Sequence, residues 1–164
     1  MTVFDMVLMA AVLLCSLVAG FLLAFAIVVM PGLAKLDDRS FMKAFRSIDS
    51  VIQTNQTLFM LMWAGSVVAL LFAAAWSIVR LPSVDRILTA IAACVYMLGV
   101  QFPTIRVNIP LNDRLQKLDP DTLSDCGVQR ARLEFEGRWN RWNVFRTMCA
   151  ILTSIMLLLV LIRA

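Results

Sequence analysis

Four long apolar stretches constrain this chain more than any other feature. They cover about residues 7–30, 57–79, 87–105 and 142–162, and the interior of each is nearly free of charge. A helix needs roughly 20 apolar residues to cross the hydrocarbon core of a bilayer, and a helix that is apolar all round is typical of a lipid-facing span. The sequence therefore predicts an all-α protein: one integral membrane four-helix bundle that occupies residues 1–164.

Composition agrees with this fold class and excludes several functions. Hydrophobic residues make up 61% of the chain and the mean hydropathy is +0.84, whereas soluble domains are about half apolar. The net charge is +4, but no basic run is interleaved with aromatic residues, which argues against nucleic-acid binding. We expect the basic residues to set the topology and to contact lipid headgroups.

Histidine is absent, and this absence restricts the possible chemistry. Haem held by histidine, histidine-ligated copper or zinc, non-haem iron triads and Ser-His-Asp catalysis are excluded within the chain. The four cysteines form no C-x-x-C pair, which argues against a thiolate zinc site and a thiol-redox enzyme. We therefore expect no metal site, and free cysteines that behave as apolar side chains.

The distribution of charge predicts the orientation. Four spans place the first and third loops on one side, and these two long loops carry eleven of the fifteen Lys and Arg residues. The positive-inside rule then puts both long loops in the cytoplasm and both termini outside, in a membrane that we expect to be the bacterial inner (plasma) membrane.

Each long loop is expected to contain a short amphipathic helix. In the first loop, between Leu33 and Ile52, apolar residues recur at helical spacing, and Asp37 or Asp38 is a candidate cap. We expect this helix to lie at the membrane interface. In the third loop, a helix from about Thr122 is expected to run into the fourth span.

The first candidate site is the segment Arg106-Val107-Asn108-Ile109-Pro110-Leu111-Asn112-Asp113-Arg114, where the third span leaves the membrane. Its asparagine amides offer donors and acceptors, and proline fixes the backbone. Such a tight segment could hold a carbonyl or an oxyanion. Alternatively, both asparagines cap the end of the span. Pro103 is expected to kink that span.

The second candidate site is the segment from Arg138 to Thr147, which contains two tryptophans, two asparagines and three arginines. On a helix, Trp139, Trp142 and Arg146 fall on one face, and Asn143 lies one turn from Trp139 and Arg146. An aromatic belt with snorkelling arginines is the alternative. However, Arg146 lies about one turn inside the fourth span, where ionisable residues usually face the bundle interior and are paired. We therefore expect a functional or ion-paired Arg146.

Four carboxylates are candidate partners for Arg106, Arg114 or Arg146, and a carboxylate in a half-dry site could also act as a base. They are Asp37, Asp113, Glu134 and Glu136. Arg132 with Glu136, and Glu134 with Arg138, also have the i,i+4 spacing that supports an exposed helix.

Three segments together resemble the anthrone-oxygenase-like membrane family, many of whose bacterial members are domains of unknown function. They are Val28 to Asp38 at the exit of the first span, Asn108 to Leu115, and Arg138 to Thr147. The resemblance covers roughly Val12 to Leu158. It implies the oxidation of an anthrone to an anthraquinone by dioxygen, without a cofactor.

The resemblance also implies roles for particular residues. Catalytic donors that stabilise an oxyanion would be Asn108, Asn112, Asn143 and Arg146. Trp139 and Trp142 would sandwich a flat ring, and Asp113 or Glu136 would act as the base. Arg106 and Arg114 would join Glu136 in binding the substrate.

Two other kinds of protein would suit the same residues. One is a non-enzymatic membrane protein that binds a lipid or quinone or belongs to a larger assembly, including a homo-oligomer. The other is a transporter or channel, which is disfavoured because the spans contain no acidic residues. An enzyme requires a closed pocket between the spans, capped by the two long loops, whereas a lipid binder requires an open lateral groove. In each case the expected partner is a lipophilic small molecule or a lipid within the bilayer.

Overall fold

The computed structural model describes residues 2–54 and 56–163, which form five helices and, within those ranges, no strand. The helices are α1 (Val3–Leu33), α2 (Asp38–Gln53), α3 (Thr57–Arg80), α4 (Ser83–Gln116) and α5 (Asp125–Arg163). All except α2 are long and apolar enough to cross a membrane. The predicted all-α four-helix bundle is therefore confirmed.

Small side chains allow the long helices to pack closely. Helix α1 packs on α3 and α5, and α4 packs on α5. Ala11, Ala73 and Ala150 are fully buried in this core, as is common where helices associate in lipid. The closest approach is at Gly99 on α4, where an added Cβ would lie 2.5 Å from the Sγ of Cys149 on α5.

Helix α4 differs from the prediction at its loop end. It continues through Pro103 and Pro110 to Gln116, so residues 108–113, expected as a tight segment of the third loop, are part of this helix. Pro103 lies between two π-helical segments, Met97–Gln101 and Thr104–Asn108. The wider π turns accommodate the loss of the backbone hydrogen bond that proline cannot make.

Helix α2 covers the loop end of the bundle. Asp37 caps it, because Oδ1 of Asp37 accepts a hydrogen bond from the backbone N–H of Ser40 at 3.0 Å. The apolar side chains of Phe41, Met42 and Phe45 are buried against α4 and α5. The predicted amphipathic helix of the first loop is therefore present and its apolar face packs on protein, while its position at the membrane interface stays a prediction.

The two long loops lie at the same end of the bundle and are joined by ion pairs. Arg39 pairs with Asp125 at 2.9 Å, and Lys43 pairs with Asp121. The helical parts of the third loop are extensions of α4 and α5 rather than a separate helix. Helix α5 has 39 residues and is about 58 Å long, so its first turns project beyond a hydrocarbon core of about 30 Å.

Arg132 on α5 fixes the connection between α1 and α2. Its Nη1 donates to the carbonyl of Leu36 at 2.8 Å and to Asp38 at 2.9 Å, and its Nη2 donates to the carbonyl of Ala34 at 3.1 Å. Its Nε donates to Glu136 at 2.8 Å, as the i,i+4 spacing predicted. This set of contacts holds α2 over the end of the bundle.

Candidate functional site

A cavity of about 300 Å³ lies at the loop end of the bundle, between the four long helices and under α2. Its volume is at the lower end of the range of small-molecule sites, roughly 300–1,000 Å³. Aromatic side chains form much of its wall: Phe21, Phe25, Phe45, Phe59, Trp63 and Trp139. The rings of Phe59 and Trp63 are stacked, with centroids 5.5 Å apart. Such walls suit a flat aromatic ligand.

The carboxyl group of Asp49 lines this cavity and is only 4% exposed. Three side-chain amides donate to it: Asn112 to Oδ1 at 2.7 Å, and Gln53 and Gln116 to Oδ2 at 2.7 and 2.9 Å. Burial raises the pKa of Asp49 above its ordinary value near 3.8, and the three amide donors oppose that rise. A buried, oriented carboxylate with a raised pKa is suited to accept a proton from a bound ligand.

Trp139 fixes the orientation of the Asn112 amide. The indole Nε1 donates to Oδ1 of Asn112 at 2.8 Å. Because an indole nitrogen can only donate, the Asn112 oxygen must face Trp139 and its NH₂ group must face Asp49. The chain of hydrogen bonds from Trp139 through Asn112 to Asp49 therefore links the aromatic wall to the carboxylate.

Arg146 brings a cation to the same cavity and is 4% exposed. Its Nη1 donates to Thr104 at 2.8 Å and its Nη2 donates to Asn143 at 3.0 Å, while its Nε has no hydrogen-bond partner. Within residues 2–54 and 56–163, no carboxylate lies within 4.0 Å of its guanidinium. A buried cation without an acid partner is suited to an anionic ligand.

Neighbouring amides complete the polar part of the cavity. Asn143 donates to the carbonyl of Leu22 at 3.1 Å, which leaves its oxygen facing Arg146. Asn108 donates a long hydrogen bond of 3.5 Å to the carbonyl of Trp139, and its Oδ1 has no hydrogen-bond partner. Thr104 and Asn108 are the two ends of one π-helical segment, and such segments are frequent at functional sites.

Six of the residues singled out in the sequence line the cavity: Asn108, Asn112, Asp113, Trp139, Asn143 and Arg146. Asp113 is exposed, and its side chain accepts a long hydrogen bond from Gln53 at 3.5 Å. The expectation that Asp37, Asp113, Glu134 or Glu136 pairs with Arg146 is not met in the described residues.

The other four residues do not line the cavity. Arg106 and Arg114 are exposed, and Glu136 is paired with Arg132. Trp142 packs edge-on against Phe145, with centroids 5.7 Å apart. The geometry therefore does not support a sandwich between two indoles. The buried stripe of α5 passes through Trp139, Asn143 and Arg146, and Trp142 lies at its edge.

Sequence reasoning missed Asp49 and the two glutamines, Gln53 and Gln116, that donate to it. A signal was present for Asp49, because it lies between Phe45 and Ile52 on the apolar face of α2. A carboxylate in that position must be buried with the face that carries it. In the described residues, no group of three or more Cys, Asp or Glu side chains could hold a metal ion.

The fold and the cavity define a polytopic helical membrane bundle with one polar, aromatic-walled site at its loop end. The family model for anthrone oxygenase matches residues 50–156, and the chain belongs to this family. The match contains Asn112, Trp139 and Arg146, and it begins one residue after Asp49. No curated protein and no solved structure matches the chain.

Proposed function

We propose that this protein is a membrane-embedded oxygenase that oxidises a lipophilic phenolic aromatic of the anthrone type with dioxygen, without a bound cofactor. One observation carries the proposal: a buried carboxylate, Asp49, and a buried cation with no acid partner in the described residues, Arg146, line the same aromatic-walled cavity. Family membership supports the same type of reaction.

The first step is removal of a proton from the ring methylene group that lies opposite the ketone. Asp49 takes this proton, and the electron pair of the C–H bond moves into the ring and onto the ketone oxygen. Arg146 stabilises the resulting enolate, because its guanidinium is already in place and has no competing carboxylate nearby in the described residues. Donors that are fixed before reaction are usually the largest catalytic contribution.

Dioxygen then accepts one electron from the enolate, which gives superoxide and a carbon radical. The two combine in a new C–O bond at the former methylene carbon, and protonated Asp49 returns its proton to form a hydroperoxide. Asp49 next removes the remaining proton from that carbon, the O–O bond breaks, and a second C=O bond forms. The expelled hydroxide takes the proton from Asp49. The balance is one anthrone and one dioxygen to one quinone and one water.

The surrounding side chains would position the substrate and exclude water. Trp139 and Trp63 lie on the wall with Phe59, and helix α2 covers the end of the bundle. Exclusion of water strengthens the attraction between Arg146 and the enolate. The excess of basic residues in both long loops favours the cytoplasmic side of a bacterial plasma membrane for this end of the protein, where a lipophilic substrate would enter from the bilayer.

Oxygen uptake by the purified protein in lipid nanodiscs tests the proposal, with an anthrone as the substrate and the quinone measured by absorbance. The wild type should form one quinone per dioxygen consumed. Loss of a general base costs about 10²- to 10⁴-fold, so Asp49→Asn should slow turnover by that factor. Asp113→Asn, which changes an exposed carboxylate at the same cavity, is the matched control and should retain activity within a few-fold. Equal turnover in Asp49→Asn would refute the role of Asp49.

A further inference from the structure

A second, open groove of about 450 Å³ lies between the end of α4 and the first turns of α5, separate from the cavity. Buried apolar side chains, including Leu111, Leu115 and Phe135, form its floor. Three exposed arginines line it: Arg114, Arg130 and Arg138. The only carboxylate in its lining is Glu134. The groove therefore combines an apolar floor with an excess of positive charge.

The arginines of the groove are not engaged by acidic side chains. Across residues 2–54 and 56–163, none of the three forms an ion pair. Arginine presents a planar set of donors that matches the oxygens of a phosphate group. The net charge of the lining favours an anionic ligand over a neutral or zwitterionic one.

The position of the groove points to a lipid. Arg138 lies one helical turn before Trp142, where the fourth apolar stretch begins, and Trp142 packs on Phe145, which is 46% exposed. Tryptophan is typical of the level of the lipid headgroups. The end of the groove at Arg138 therefore lies one helical turn from the predicted start of the fourth span.

We propose that this groove binds the headgroup of an anionic phospholipid. The phosphate lies between Arg114 and Arg138, Arg130 adds positive charge further along α5, and an acyl chain descends beside Trp142 and Phe145. This site gives a role to Arg114 and Trp142, which the cavity does not use. It is independent of the proposed oxygenase activity, because it shares no lining residue with the cavity.

Native mass spectrometry and thermal-shift titration of the protein in detergent test this site, with short-chain phosphatidylglycerol as the probe. Each arginine near a lipid surface contributes about fivefold in affinity, so Arg114→Gln and Arg138→Gln should each weaken binding by roughly fivefold, and the double variant by roughly 25-fold. Arg80→Gln is the matched control, since Arg80 is exposed at the other end of the bundle and does not line the groove. It should bind as the wild type does.

Three further results would overturn the proposal. The first is equal binding of phosphatidylcholine, which would indicate unspecific lipid contact. The second is the same stabilisation by inorganic phosphate alone, which would indicate a site for a free anion. The third is an equal loss of affinity in Arg80→Gln. Arg146→Met, which changes the cavity, should bind phosphatidylglycerol normally, so a failed oxygenase assay leaves this test intact.

Discussion

Replacement of Arg146 by methionine should leave the protein at least as stable as the wild type and make it a poorer binder. Methionine keeps much of the volume of the side chain and removes the charge. Burial of an ion without an opposite charge costs several kcal/mol, and Arg146 is 4% exposed without a carboxylate partner in the described ranges. The substitution removes this cost.

The opposing loss is smaller. Thr104 remains satisfied without Arg146, because its hydroxyl donates to the carbonyl of Val100 at 2.7 Å. The oxygen of Asn143 loses the bond from Arg146, and an unsatisfied buried acceptor costs about 1–3 kcal/mol. We therefore expect Arg146→Met to be as stable as the wild type, or more stable by about 1–3 kcal/mol.

Binding of an anionic ring should fall in the same variant. A hydrogen bond to a charged group is worth about 1.5–3 kcal/mol, which corresponds to a loss of roughly 10- to 100-fold in affinity. The assay is thermal unfolding in detergent, with and without a flat phenolic ligand. Arg80→Met is the control: Arg80 is exposed at the opposite end of the bundle and does not line the cavity, so it should change stability by less than about 0.5 kcal/mol and leave affinity unchanged. A destabilised Arg146→Met with normal affinity would refute the reasoning.

Three other perturbations give distinct outcomes. Burial raises the pKa of Asp49 in the folded state above the unfolded value near 3.8, so its contribution to stability is complete below that pH and is lost as pH rises through the folded pKa. In thermal melts, the wild type should therefore lose stability relative to Asp49→Asn as pH rises over this window. A stability difference that stays constant with pH would contradict this. Trp139→Phe leaves the oxygen of Asn112 without its donor and should cost about 1–3 kcal/mol by the same melts, with full stability as the contrary result. Gly99→Ala places a Cβ 2.5 Å from Sγ of Cys149 and should lower the stability of the fold by about 1–3 kcal/mol. A second change, Cys149→Ala, should restore part of the lost stability. A double variant as unstable as Gly99→Ala would count against this contact.

The amino-acid sequence predicts the bundle well because lipid imposes a simple rule on it. A span must be long, apolar and helical, and all four predicted stretches lie within helices of the structure. The helix boundaries at the loop end were less predictable. The third apolar stretch ends near residue 105, but α4 continues to Gln116, because Leu111 and Leu115 are buried against the other helices of the loop end.

The cavity was only partly predictable, because its geometry depends on helix rotation. Helical spacing placed Trp139 and Arg146 together correctly, but it also included Trp142, which lies at the edge of the buried stripe. The π-helical turns that orient Thr104 and Asn108 leave no mark in the pattern of apolar residues. Asp49 escaped attention because the amino-acid sequence does not show that the apolar face of α2 packs on α4 and α5.

An anaerobic mixing experiment tests the central claim, that the cavity converts a neutral aromatic ketone into a bound anion. Purified protein and an anthrone are combined without dioxygen, and the absorbance of the enolate, which lies at longer wavelength than that of the ketone, is followed. We predict that the enolate forms in the wild type in proportion to the protein and does not form in Asp49→Asn. Admission of dioxygen should then convert the enolate to one equivalent of quinone. The absence of enolate in the wild type, or an equal amount in Asp49→Asn, would contradict the assignment of Asp49 as the base.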